Sequence, residues 1–178
     1  MEMPSQPKYA KIERERRFLL SQFPSDVNVV RVRCLTDRYI NGTTLRLREQ
    51  REDGAPTIFK LTQKVPVAAG AAQQGWVTNM YLAQDQFCVF AQLPAKKLCK
   101  TRYSVPPFGI DVFEGLLEGL VLAEAEFDSE VAASELVVPS FIVREVTTDS
   151  RFSGGRLARA TRQDIQTWLA EYGIPLGP

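Results

Sequence analysis

From Lys11 onward short segments of the chain carry charged or polar side chains at every second position, with mostly apolar residues between them except in the first, where Arg14 and Arg16 intervene. Glu13, Glu15 and Arg17 open the pattern, and Arg46 and Arg48 repeat it around Leu45 and Leu47. Lys60, Thr62 and Lys64 flank Phe59 and Leu61, Lys100 and Arg102 sit beside Cys99 and Tyr103, and Glu124 and Glu126 lie among Ala123, Ala125 and Phe127. A period of two sends alternate side chains to opposite faces of an extended strand. Each segment therefore predicts a strand with one ionic and one mostly apolar face.

The pattern yields eight strands: Lys11 to Leu20, Val29 to Ile40, Thr43 to Gln50, a fourth ending at Val65, Trp76 to Leu82, Lys97 to Val105, Gly109 to Phe113 and Leu120 to Phe127. Pro24 separates the first two, and Asn41-Gly42 is a hairpin signal between the second and third. The segment from Pro66 to Gly75 is rich in Ala and Gly and reads as a loop. Phe87, Phe90 and Leu93 are spaced for a short helix closed by Pro94. Ile165, Trp168, Leu169 and Tyr172 form the apolar stripe of a C-terminal helix stopped by Gly173 and Pro175. Between Ser134 and that helix lie loops with one apolar run, "LVVPSFIV", and the stretch "TTDSRFSGGRLARA" reads as a solvated connector.

An antiparallel sheet commonly shows water one polar face, but a solvated face mixes Thr, Ser, Gln and Lys. Here the charges are sorted into two acidic and three basic pairs, which points to a ligand. Strands without helical crossovers suggest closure into a barrel, and about eight strands leave an interior that side chains or one small ligand can fill. Basic walls would hold a polyanion, and acidic pairs the divalent cations that accompany it.

Bulk composition narrows the choices. At 178 residues the chain is expected to be a single domain, residues 1–178, with a core of about 11–174. A net charge of +1 argues against a general nucleic-acid or membrane-surface binder. The absence of histidine removes His-based nucleophile systems and His-containing metal sites. Cys34, Cys88 and Cys99 have no Cys-x-x-Cys spacing and read as buried thiols in a reducing compartment. No apolar stretch of signal-peptide or membrane-span length is visible, so a cytoplasmic location is expected. Neither a P-loop nor a G-x-G-x-x-G fingerprint is present.

The ordered set Glu13-Arg14-Glu15-Arg16-Arg17, "LRLRE", "KLTQK", "KTRY", "IDVFEG", "LAEAEF" and "EVTTDSRF" resembles the CYTH family, also called triphosphate tunnel metalloenzymes, from about Lys11 to Ile174. That resemblance implies a mainly β (α+β) fold, an eight-stranded antiparallel closed barrel with flanking helices and a C-terminal helix, whose tunnel binds a triphosphate. It implies Glu13, Glu15, Asp111, Glu124 and Glu126 as ligands of Mg2+ or Mn2+. Arg17, Arg46, Arg48, Lys60, Lys64, Lys100 and Arg102 would contact phosphate oxygens. Lys60 and Tyr39 are the candidates for a catalytic lysine and tyrosine pair. Carboxylates suit hard cations, and arginine forks match phosphate geometry.

Two departures stand out: Arg17 takes a position where many relatives carry lysine, and the strand "WVTNMYL" has no charge. The resemblance implies metal-dependent hydrolysis of inorganic tripolyphosphate or a small organic triphosphate, with a small-molecule substrate and no nucleic-acid or membrane partner. A homodimer is left open. The rival readings are an adenylyl cyclase acting on ATP and a non-catalytic triphosphate or polyphosphate binding module.

Overall fold

A computed structural model describes residues 8–67 and 74–176. Its strands are β1 (Lys11–Leu20), β2 (Arg31–Ile40), β3 (Leu45–Arg51), β4 (Ile58–Pro66), β5 (Gln74–Leu82), β6 (Ala95–Val105), β7 (Phe108–Phe113), β8 (Val121–Glu126) and the short β9 (Arg144–Glu145). The order β5-β4-β3-β2-β6-β7-β8-β1 is closed by β5 pairing with β1, so eight strands form an antiparallel barrel. Most of the loop expected between Pro66 and Gly75 falls outside the described residues.

Closure divides one edge of β1 between two partners. Lys11 to Arg14 pair with β5, whereas Phe18 and Leu19 pair with β9. β9 escaped the alternation pattern because two residues are too few to show a period. It is fastened from outside by Arg16, which donates to the Glu145 carboxylate at 2.9 Å through Nε. The hairpin between β2 and β3 turns at residues 41–44. Gly42 there has φ 73°, a left-handed conformation that glycine adopts without Cβ strain.

Directly opposed residues in antiparallel strands share a face, so the register sorts the barrel wall. Arg17 opposes Glu124, Leu19 opposes Leu122, Asp37 opposes Arg48, Arg48 opposes Lys60 and Arg102 opposes Asp111. The inner face is therefore ionic along most of its length and apolar at one end. That apolar end comprises Leu19, Leu98, Phe113 and Leu122, which cluster with Ile165 and Leu169. The last two belong to α4 (Arg162–Ala170), whose N-terminus is capped by Thr161 and Asp164 in a reciprocal pair. Each fully buried aliphatic side chain of this plug contributes about 1.5–3 kcal/mol, enough to hold a short helix that would fray alone.

The outer face is covered in patches. α1 (Gln84–Phe90) lays Phe87 and Phe90 over Leu47 and Leu61, and the Phe59 and Phe87 rings stand 4.5 Å apart. Phe141 and Ile142, from the apolar run before β9, cover Phe18, Phe108 and Ile110. α2 (Glu130–Ser134) sits against β1, with Arg16 donating to the Ala133 carbonyl at 2.9 Å. The thiols depart from expectation: Cys34 and Cys88 are exposed and Cys99 is half-buried. Cys34 lies on the outer face of β2, opposite Arg51 and on the other side of the strand from Asp37.

Candidate functional site

The barrel encloses a cavity of about 610 Å³. All seven basic residues expected to contact phosphate line it, together with Glu13, Glu15, Glu124, Glu126 and Tyr39. Glu13, Glu15 and Arg17 reach it from β1, Glu124 and Glu126 from β8, Arg46 and Arg48 from β3, Lys60 and Lys64 from β4, and Lys100 and Arg102 from β6. The uncharged strand β5 contributes Gly75, Val77 and Asn79. Its polar role is to end a chain in which Arg46 donates to the Thr62 hydroxyl (3.2 Å) and Thr62 to the Asn79 side-chain oxygen (2.7 Å).

Asp111 is placed elsewhere. It is 0% exposed, does not line the cavity, and accepts Nε and Nη2 of Arg102 at 2.6 Å each as well as the Lys100 ammonium. The motif set leads one to expect it to help bind metal; here both of its oxygens accept from basic side chains behind the lining. A second buried carboxylate, not singled out from the sequence, does the same under β3. Asp37 accepts Nε and Nη2 of Arg48 at 2.7 Å each, and Arg46 Nε lies 3.7 Å from it. Burial alone would raise the Asp37 pKa, but the charge and hydrogen bonds of Arg48, and then Arg46, hold it well below the usual carboxylate range.

The glutamates are held differently. Lys64 pairs with Glu13, Arg17 donates to Glu15 at 3.1 Å, and Arg102 reaches past Asp111 to Glu124. Glu15 is nevertheless pushed up from its ordinary pKa, first by burial and then by the charge of Glu124. Glu124 goes the other way: burial opposes its ionisation, but Lys100 and then Arg102 hold it down. Among the described residues no three carboxylates converge closely enough to hold a metal by themselves. Magnesium does not require that, since it binds through one or two carboxylates plus substrate phosphates, and a crowded Glu15 is the kind of oxygen donor a divalent cation relieves.

Several donors await an acceptor. Arg17 Nη1 and Arg46 Nε are buried without a hydrogen-bond partner among the described residues, and an anion in the cavity would satisfy them. Lys60 has no carboxylate partner within ion-pair distance among the described residues, and burial followed by the charges of Arg48 and Arg46 brings its pKa down to about 8. Tyr39 moves upward, through burial and then Asp37, so its hydroxyl stays protonated.

The segment read as a solvated connector is a wall of the cavity. Thr147, Thr148, Ser150, Ser153 and Gly154 line it, as does Arg159 beyond α3 (Gly154–Leu157). Thr147 is tied to β1 by the Arg17 amide, which donates to its hydroxyl at 3.0 Å. A Cβ on Gly154 would overlap the Tyr39 hydroxyl, so glycine there lets the tyrosine lie flat against the wall. The polar composition of this stretch was visible in the sequence, but polarity alone does not separate a loop facing bulk water from one facing a cavity.

No family model matches the chain. The inorganic triphosphatase of Nitrosomonas europaea is 33% identical over 156 residues, which span 82% of this chain and 96% of that protein. The chain belongs to its family, the CYTH proteins that the motifs resemble. A solved structure described as the hypothetical protein NE1496 aligns with a TM-score of 0.55 at 29% identity, over 84% of this chain and 99% of the other. Another, described as the inorganic triphosphatase NE1496, gives 0.54 at 28% identity over 83% and 95%. Both agree with the closed barrel. In this CYTH protein the ionic positions expected from the motif set share one interior, with Asp111 recessed behind it. Among the described residues no helix is long and apolar enough to cross a membrane.

Proposed function

We propose that this CYTH protein hydrolyses a phosphoanhydride bond of a triphosphate, inorganic tripolyphosphate or a small organic one, with Mg2+ or Mn2+. The observation that carries the reading is the division of one cavity into a basic wall on β3, β4 and β6 and an acidic wall on β1 and β8. The lining holds eight basic side chains against four glutamates, and Asp37 and Asp111 behind it reduce but do not cancel the excess. Such a site is neutralised by a polyanion that brings its own divalent cation.

Glu13, Glu15, Glu124 and Glu126 would hold the metal, which when bound supplies charge neutralisation and an acidified water. Arg46, Arg48, Lys64, Lys100 and Arg102 orient the phosphate chain and stabilise the charge that spreads over its oxygens as the bond breaks, the positioning and electrostatic work that phosphoryl transfer demands. Lys60, with its pKa near the working range, accepts the proton from the attacking water. Tyr39 remains a phenol and acts as a hydroxyl partner in the same wall.

The test is phosphate release from purified protein given tripolyphosphate, thiamine triphosphate or ATP with each metal, alongside an assay for cyclic nucleotide. Metal-dependent release from a triphosphate is expected, with no cyclic product. Thermal stabilisation by tripolyphosphate with magnesium should exceed that by orthophosphate or pyrophosphate at equal concentration. Equal stabilisation by orthophosphate would sink the reading.

A further inference from the structure

Behind the basic wall, two aspartates repeat one device. Asp37 on β2 and Asp111 on β7 each stand directly across an antiparallel pair from an arginine, Arg48 and Arg102. Each takes Nε and Nη2 of that arginine in a two-pronged bond. Leu98 opposes Asp37 on its other side, and Leu122 opposes Asp111. Both carboxylates thus sit where the ionic wall meets the apolar plug and water is excluded. Asp37 is 1% exposed and does not itself line the cavity.

A guanidinium is a rigid fork with five N–H donors. When Asp37 occupies Nε and one N–H of Nη2, the fork's plane is fixed, and the second Nη2 hydrogen and both Nη1 hydrogens have no partner among the described residues. Arg48 lines the cavity, so those are the hydrogens available to an anion. We propose that Asp37 is a positioning residue, which fixes the plane of the Arg48 guanidinium before an anion enters and so aims its free N–H groups at a phosphate oxygen. The proposal rests on the triphosphatase reading for the identity of that anion, but the locking of Arg48 is a property of the empty protein. An arginine already in place loses no rotamer freedom on binding. A floor of loose arginines would have to be ordered by each substrate.

Four measurements test this, and they separate its failure from that of the triphosphatase reading. Hydrogen exchange at Arg48 Nε–H, followed by NMR in the ligand-free wild type, should be much slower than at the exposed Arg51. Exchange as fast as that of Arg51 would overturn the lock whether or not the protein is an enzyme. If no triphosphate is cleaved, the functional reading fails and this exchange rate still decides the role of Asp37.

Asp37→Asn keeps the shape but turns an N–H donor toward the fork. Its kcat/KM on magnesium tripolyphosphate should fall on the order of 100-fold, the scale of a misplaced reacting group, with the loss in KM exceeding that in kcat. Arg48→Lys keeps the charge and Asp37 but has no fork, so it should lose nearly as much. The double variant should be little worse than either single one, since both remove the same alignment. Wild-type kcat/KM in Arg48→Lys would overturn the proposal even if Asp37→Asn did not fold.

Discussion

The barrel contains two kinds of carboxylate, one recessed behind the cavity wall and one lining it. Asp37 and Asp111 are short, almost completely buried and bonded two-pronged to arginines across the strand register. Glu13, Glu15, Glu124 and Glu126 line the cavity, and Glu15 is crowded enough by burial and by Glu124 to resist ionisation. The difference is one of reach and register. An aspartate opposite an arginine has both oxygens engaged by basic side chains of the wall, whereas glutamates of β1 and β8, facing one another as Glu15 does Glu126, line the cavity where a cation can reach them. Charge type alone says little about role; whether a group's partners are already complete says more.

The sharpest way to break this comparison is to delete one carboxylate of each kind. Asp111→Asn takes the carboxylate away from buried Lys100, and leaves Arg102 with Glu124 as its remaining carboxylate; breaking a buried pair in this way costs about 3–5 kcal/mol. Urea unfolding should show that loss. Glu15→Gln should leave unfolding stability unchanged or slightly raised, because it removes a charge that burial and Glu124 disfavour. It should reduce metal-dependent phosphate release by roughly 100-fold, the scale of one lost electrostatic contact in a reacting site. Should Glu15→Gln unfold as readily as Asp111→Asn, the two kinds collapse into one.

A smaller effect tests how rigid the aspartate side is. A Cβ on Gly109 would stand 3.3 Å from Arg102 Cδ and 3.4 Å from its Nε. Arg102 is pinned by Asp111 on one side and Glu124 on the other, so it has little room to give. Gly109→Ala should therefore destabilise by about 1–2 kcal/mol, toward the low end for overpacking. A neutral or stabilising result in thermal unfolding would show that the Arg102 lock is loose.

The sequence disclosed the ionic faces because alternation is a local property: the strand from Lys11 to Leu20 and the inward set Arg46, Arg48, Lys60 and Lys64 follow from period two alone. Asp37 escaped attention because its meaning lies in what stands opposite, and Arg48 comes into line only once the residues 41–44 turn sets the register. Asp111 was legible as an inward acid but not as a saturated one, for the same reason. Thr147 to Gly154 became cavity wall through β9 joining the edge that β5 leaves free on β1, and no periodicity encodes that event. Local pattern gives faces, and closure decides which groups meet.

Lys60 is, with Arg159, a lining cation that the comparison leaves over, because among the described residues no carboxylate is paired with it within ion-pair distance. Burial and its arginine neighbours bring its pKa from 10.5 down to about 8. Below pH 8 the ammonium is charged in folded and unfolded states alike, and the burial cost is fully present. As pH rises from about 8 toward 10.5 the folded protein gives up this proton first, so the unfolded state binds more protons and stability gains. Lys60→Met should lack that gain. In catalysis the same proton matters: if Lys60 accepts it from water, kcat/KM climbs by up to about tenfold per pH unit until pH 8 and then levels. Lys60→Met should flatten that limb, and Lys60→Arg, which keeps the charge but cannot deprotonate, should not restore it. A profile that instead falls above pH 8, with activity retained in Lys60→Arg, would make Lys60 one more phosphate-binding cation and leave the reaction without a protein base at this wall.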